Sequence, residues 1–492
     1  MNVKINTNTS NTTKRAVQMA LDLVEVGNDD AESNGKMERV SKYLPPEVSS
    51  KMLYKDIIRI AWPSLVELIL TQLTSMVDMI MVGKLGAWGI TSVGLTTQPK
   101  FLLMTMFMAM NVGATALIAR YKGEGDTKKA NTILRQALLL TFVLSLISSV
   151  LGFIFSKQLI QFMGAMDIES LNGGTVYLQI QMAGFTIMAL TSTITAALRG
   201  VGDSKTAMIY NLTANVVNVI FNYLLIYGKF GFPRMEVAGA SLATVIGQCV
   251  AFVLALIAVL RGNEYLKLNL RDGFRPQFHY MKSIFKIGIP SMIEQLVMRA
   301  GMIIYAKTVA SLGTVAYATH QICMNIQAMS FMNGQAFAVS ATSLVGQSLG
   351  KKRPDMAQAY SSRTRRTGMM VSIVLAIVFV LFGKYIVALY NDDPQIVSQG
   401  SKILMLVALI QPLQSSQFIL AGALRGAGDT RATAVISFIT ILLVRPGLAI
   451  IAINFLGWGL AGAWIALAAD QLLRSLLVFI RFYSGKWKSI KV

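Results

Sequence analysis

Residues Ile57 to Met81 read IIRIAWPSLVELILTQLTSMVDMIM. The run is long enough to cross a bilayer as a helix, for which about 20 apolar residues suffice. It nevertheless holds Pro63, Glu67 and Asp78. A carboxylate inside the hydrocarbon layer is costly, so each acid there points to a function or to a partner. Pro63 removes a backbone donor and favours a kink. Glu67 and Asp78 lie close to three turns apart, on one face and about 16 Å from each other. A kinked helix with a carboxylate stripe suggests a moving part that takes up cations or protons.

The rest of the chain repeats this character. Hydrophobic residues make up 54% of 492 and charged ones 14%, whereas soluble domains carry about 25% charged. The expected fold class is an all-α polytopic membrane protein with twelve spans. Their expected limits are 57–81, 91–119, 136–156, 174–198, 206–226, 238–260, 283–308, 316–346, 367–383, 399–424, 432–453 and 460–480. The second and eighth runs are longer than a bilayer needs, which implies tilt or extension beyond it. The net charge of +21 does not indicate nucleic acid, because the basic residues sit in short loops between apolar runs. One set of loops holds Arg120, Lys122, Lys128, Arg199, Lys205, Lys351, Arg353, Arg365, Arg425 and Arg431, and the alternate loops are sparse. The positive-inside rule places the rich set and both termini in the cytoplasm. Cys249 and Cys323 lie within apolar runs and suggest neither a disulfide nor a zinc site. The polar first fifty residues show no cleavable signal and read as a cytoplasmic tail, with Ala16 to Val26 as a short amphipathic segment.

The two halves echo each other. IRIAWPSLVE (58–67) matches FKIGIPSMIE (285–294), and ATAL (114–117) matches ATSL (341–344), both at an offset of about 227. ALRGVGD (197–203) matches ALRGAGD (423–429), and VAGA (237–240) matches LAGA (460–463), shifted by a few residues. The expected domains are therefore a tail at 1–50, a six-helix lobe at 51–262, a linker at 263–282, a second lobe at 283–482 and a C-terminal tail at 483–492. Six is even, so the lobes insert in parallel around a central cavity, where such repeats hold substrate and alternate its access.

No P-loop, H-E-x-x-H, Cys/His cluster or nucleophile elbow occurs, so neither ATP-driven pumping nor hydrolysis is expected, and no enzyme activity. The polar residues within spans carry more information. Asn215, Asn218 and Asn222 fall on one side of the fifth span. Glu67 and Glu294 each follow a proline by four residues, so a structural and a functional role stand side by side for both. Asp78 differs, because its register position in the second half is Tyr305. Lys100 is a candidate ion-pair partner for it. Arg474, four after Asp470, fits an intrahelical pair. In the Leu-Arg-Gly-x-Gly-Asp loops the glycines permit tight turns, and Arg and Asp suit helix ends or pairing across a lobe. The 28 methionines suit adaptable apolar binding.

On these residues the chain resembles the MATE transporters, the multidrug and toxic compound extrusion family, over about residues 52 to 482. The resemblance rests on Pro63 with VDMIMVGKLG (77–86), on VASLG (309–313) with His320-Gln321-Ile322, on the twin loops, and on Asn218, Gly228, Gly231-Phe-Pro and Ala238-Gly-Ala. It implies efflux of small, amphipathic, often cationic organic compounds in exchange for H⁺ or Na⁺, at the plasma membrane and without another cofactor. A monomer is expected. Family motifs make Asp78 the acid that takes up the coupling cation, Pro63 the bending point, and Asn218 a polar ligand close to that acid. Asn222 stands where many members have an acid, and Gln414 stands where the NorM-like branch has one. Glu294 comes about four residues before that branch's seventh-helix acid. The cation-coupling candidates are therefore Asp78, Asn218 and Asn222, with a possible Na⁺ near Asp78. Glu67, Lys100, Glu294 and Gln414 are possible cavity-lining residues. The alternative is a flippase for a lipid-linked oligosaccharide, which would gather Lys100, Arg299, Lys307 and Arg445 around one groove.

Overall fold

A computed structural model describes residues 48–490 apart from Met166 and Asp392. The tail up to residue 47, with the amphipathic segment at 16–26, lies outside the described residues. The chain divides into two units, Met1–Met52 and Leu53–Val492, and the contacts described below belong to the second.

No strand occurs among the described residues, and the long helices follow the twelve expected runs. The first lobe contains Ser50–Gly83, Ala87–Glu124, Thr127–Ile154, the pair Ile168–Ala183 and Phe185–Gly200, Ser204–Tyr227 and Glu236–Arg261. The second contains Phe278–Ala310, Thr314–Gly350, Pro354–Ala388, Pro394–Gly426, the segmented stretch Thr430–Phe455 and Gly459–Tyr483. Ten of these are long and apolar enough to cross a membrane, and eleven if the bent pair counts as one. The remaining span is the eighth, Thr314–Gly350. It buries His320, Gln327, Ser330 and Asn333 inside the protein, and these residues lower its hydropathy.

Three details depart from straight spans. The fourth is bent by 52° between Ala183 and Phe185. At that bend a Cβ on Gly184 would press on Val245 at 2.7 Å, so only glycine fits. The eleventh is π-helical at Phe438–Val444 and Ile451–Phe455, on both sides of Arg445 and Pro446. The first, by contrast, runs unbroken through Pro63, as the seventh does through Pro290.

The repeated loop motif is a set of fasteners. Its arginine reaches back to the glutamate that follows the proline: Arg199 pairs with Glu67, and Arg425 with Glu294, each at 2.8 Å. Its second glycine takes the left-handed turn, with φ of 80° at Gly202 and 86° at Gly428. Asp203 caps the fifth span by accepting from the Thr206 N–H at 3.2 Å. Asp429 instead pairs with Arg481 of the twelfth span at 2.7 Å.

The lobes meet at the end that carries the basic loops. A Cβ on Gly123 would run into the Gln347 carbonyl oxygen, and one on Gly350 into that of Arg120. Both pairs are related by the same offset of 227, so the contact is reciprocal across the repeat. Ser343 Oγ and Gln347 Nε2 both donate to the Gly200 carbonyl, at 3.0 and 3.1 Å. Ser340 donates to Ile57 O at 3.2 Å, and Tyr360 to Asp56 at 2.7 Å.

The linker is tied to the first lobe. Leu266 and Leu268 are buried in its core, and Gln136 of the third span bonds Arg275 O and the Gln277 N–H, both at 2.9 Å. The C-terminal segment is also anchored. Trp487 is fully buried and stacks on Phe482. The Ile490 carbonyl accepts from Arg120 of the second span at 3.0 Å, and Lys488 bonds Gln358 of the ninth.

Candidate functional site

The first and fifth spans run side by side at a constant offset of 144, joined by a polar ladder. Asn211 donates to Glu67 at 2.8 Å, Asn215 to Thr71 at 3.0 Å and Asn222 to Asp78 at 2.5 Å. Steps of four and seven residues keep successive rungs on one helix face. This spacing explains why the fifth span carries four asparagines on one side.

Asp78 is half-buried, and Asn218 and Asn222 beside it are buried. The Asn218 amide is satisfied with its Nδ2 towards Asp78, donating to the two carboxylate oxygens at 2.9 and 3.2 Å, while its Oδ1 accepts from the Thr244 N–H and hydroxyl at 3.2 and 3.1 Å. An ionised carboxylate only accepts, and this orientation suits it. The Asn222 Oδ1 is buried without a partner. Oxygen donors of this kind fit a hard cation or a proton. Among the described residues no cluster of three His, Cys, Asp or Glu exists for a transition metal.

The network continues inward through residues that sequence reading missed. Tyr177 lies beside Thr244, Ser241 Oγ donates to Tyr177 O at 2.8 Å, and Gln181 donates to Ser241 O at 3.3 Å. Lys100 ends the chain by donating to Gln181 at 2.7 Å. Lys100 is thus tied to the fourth span, and its charge acts on Asp78 without direct contact. A hydroxyl in a span gives no distinctive signal, so Thr244 and Tyr177 become visible only through these contacts. Fifth and sixth spans approach closely because Gly247 lies against the Ala214 carbonyl and Asn218.

The other candidates lie elsewhere. Glu67 and Glu294 are buried in their arginine pairs, and Glu294 also accepts from Thr433 at 3.1 Å and Ser437 at 3.4 Å. Gln414 is buried in the tenth span. Arg474 pairs with Asp470 at 2.5 Å as its spacing implies, and Arg445 joins the same carboxylate. Arg299 of the seventh span lies 3.4 Å from the ring centre of Phe101 on the second, a cation–π contact between lobes. An apolar recess of about 310 Å³ between the third, fourth and sixth spans contains no polar lining group.

Two repeated helical halves, each crossing the membrane many times, with a polar centre between the first and fifth spans, define a polytopic membrane transporter. The chain belongs to the MatE family, whose model matches residues 63–224 and again 290–451. Those matches are themselves offset by 227, the register of the repeat. The chain is 30% identical over 450 residues to "Probable multidrug resistance protein NorM" of Thermotoga maritima, covering 91% of this chain and 95% of that one. It is 26% identical to "Multidrug resistance protein MdtK" of Yersinia pestis, covering 87% and 94%. Among solved structures, one described as "Crystal structure of MATE in the bent conformation" superposes with a TM-score of 0.81 at 21% identity, covering 88% and 96%. One in the straight conformation gives 0.81 at 22%, covering 88% and 97%.

Proposed function

We propose that this transporter exports small amphipathic, often cationic organic compounds in exchange for H⁺ or Na⁺, by alternating access. The carrying observation is the half-buried Asp78 held between Asn222 and Asn218, an arrangement that can respond to one positive charge. With Asp78 ionised, Asn218 donates to it. Uptake of a cation removes the reason for that orientation, and the amide turns its oxygen towards Asp78. The change passes to Thr244 on the sixth span and along the ladder to the first span, which bends at Pro63 and displaces the compound. Release of the cation on the other side resets the cycle. The names of the relatives, both multidrug resistance proteins, support export of drugs. The basic loops support cytoplasmic termini in a plasma membrane, and the chain acts as a monomer.

The flippase reading is less favoured. Its basic candidates occupy four different settings: Lys100 bonds Gln181, Arg299 covers Phe101, Arg445 bonds Asp470, and Lys307 is exposed.

Purified protein in vesicles, given a pH gradient or a Na⁺ gradient separately, tests the proposal by export of a fluorescent cation. Failure of both gradients to drive the dye would overturn it.

In this reading the Gly123–Gly350 contact closes the cytoplasmic side. Either glycine changed to valine cannot make it, because the new side chain would meet backbone. In a background lacking Cys249 and Cys323, a cysteine at Ala116, buried here, is then expected to react several-fold faster with a membrane-impermeant maleimide from that side. Unchanged labelling would contradict the assignment of the closed side.

A further inference from the structure

The second lobe contains an arginine pair that the antiport reading does not use. We propose that Arg445 and Arg474 hold a small monovalent anion within the second lobe: chloride, or the carboxylate of a transported compound. Arg445 donates from Nε and a terminal nitrogen to Asp470 Oδ2, at 2.9 and 2.5 Å, and Arg474 donates to the same oxygen at 2.5 Å. The side chains of Arg445, Arg474 and Asp470 are only 5%, 7% and 0% exposed. Two positive charges therefore face one negative charge.

Among the described residues Glu294 also acts on Arg474, but it is shared with a third arginine, Arg425, so three positive charges face two negative ones. Glu294 is the nearby acid of the seventh span, and Arg425, Thr433 and Ser437 already occupy it. The ring of Tyr305, 5.8 Å from Arg445, is neutral, and His320 of the eighth span packs on its edge. An arginine cannot shed its proton in a protein, so the surplus cannot be removed by titration. An uncompensated buried charge is strongly unfavourable. A bound anion resolves the imbalance.

An unused donor marks its place: Arg474 Nε–H is buried without a partner. Asp470 Oδ1 is also unpartnered, so the anion lies on the arginine side of the cluster, away from that oxygen. Gln411 is buried with neither amide atom bonded. Its span is held against the twelfth two residues further on, where Ser475 donates to Leu413 O at 2.9 Å. Donors from an Arg Nε–H and a carboxamide suit a single negative charge.

Two further features separate this cluster from repeated architecture. In the register that aligns VAGA with LAGA, Asp470 and Arg474 fall on Gly247 and Ala251 of the first lobe. Both charges are therefore particular to the second lobe. The eleventh span is also π-helical on both sides of Arg445, an irregularity that often accompanies a functional site. The inference does not depend on which cation drives transport.

Thermal unfolding of the purified full chain tests it, with chloride and acetate titrated separately at constant ionic strength balanced by a bulky sulfonate. The wild-type midpoint is expected to rise by about 2–3 °C at a hundredfold excess over Kd. A response to chloride identifies an inorganic ion, and a response to acetate alone identifies a carboxylate. Arg474→Gln leaves a neutral Arg445–Asp470 pair and is expected to lose the rise. Arg445→Gln should lose it equally, and serves if the first variant does not fold. Asp470→Asn leaves two free guanidinium groups and should lower the half-saturating concentration. No rise with either anion in the wild type, or the same rise in a folded Arg474→Gln or Arg445→Gln protein, overturns the proposal.

Discussion

Asp78→Asn protein in vesicles is expected to lose gradient-driven dye export by about a hundredfold or more while remaining folded. Asparagine has the shape of aspartate, and its carbonyl oxygen can still accept from Asn222, whose donor lies 2.5 Å from the native carboxylate. The ladder between the first and fifth spans therefore persists. What disappears is the negative charge. Removing one partner of a poorly solvated charge interaction costs about 3–5 kcal/mol, and each 1.4 kcal/mol is about tenfold in affinity. The coupling cation then has nothing to bind at this position, and the Asn218 amide has no changing partner to follow. Dye binding in the absence of a gradient should change far less, which separates coupling from substrate recognition. Export at the wild-type rate would remove Asp78 from the mechanism. Thr244→Val makes a milder companion, because it deletes the hydroxyl that donates to Asn218. It should slow export several-fold without abolishing it, measured in the same vesicles.

The span limits were legible because bilayer thickness sets the length of each apolar run. The repeat was legible because both lobes solve one packing problem with the same Pro-Ser-x-x-Glu and Leu-Arg-Gly-x-Gly-Asp segments. Their pairing was not, since Arg199 and Glu67 lie 132 residues apart and their meeting depends on how the first span packs on the fourth. The bend at Gly184 was hidden for a related reason. A lone glycine within a span is a weak signal, and its fit against the side chain of Val245 on another span shows only in the fold. Asp78 stood out because a lone acid in one half cannot belong to the repeated frame. Thr244 and Tyr177 did not, because hydroxyls in spans are ordinarily satisfied by their own helix. Arg445 and Asp470 were each visible as costly charges, but only the fold brings two arginines to one carboxylate.

Glu294→Ala is expected to produce the largest loss of stability of any single change in the frame. Arg425 would keep its charge with its partner gone, and Thr433 and Ser437 would lose an acceptor. Breaking a buried pair in this way costs about 3–5 kcal/mol. The same change at Glu67 should cost less. Its pair with Arg199 is more exposed, at 9% and 22% against 3% and 21%, and its Oε2 already lacks a partner. The double variant Glu294→Leu with Arg425→Met should recover much of the loss, because it removes both charges and fills similar volume. Melting of each protein in the same detergent orders the four variants, with the double variant above Glu294→Ala. Glu67→Ala and Glu294→Ala combined should show nearly additive losses, since the pairs lie in different lobes and share no partner. A Glu294→Ala protein that melts with the wild type would mean that the pair is not what holds the seventh span to the tenth and eleventh.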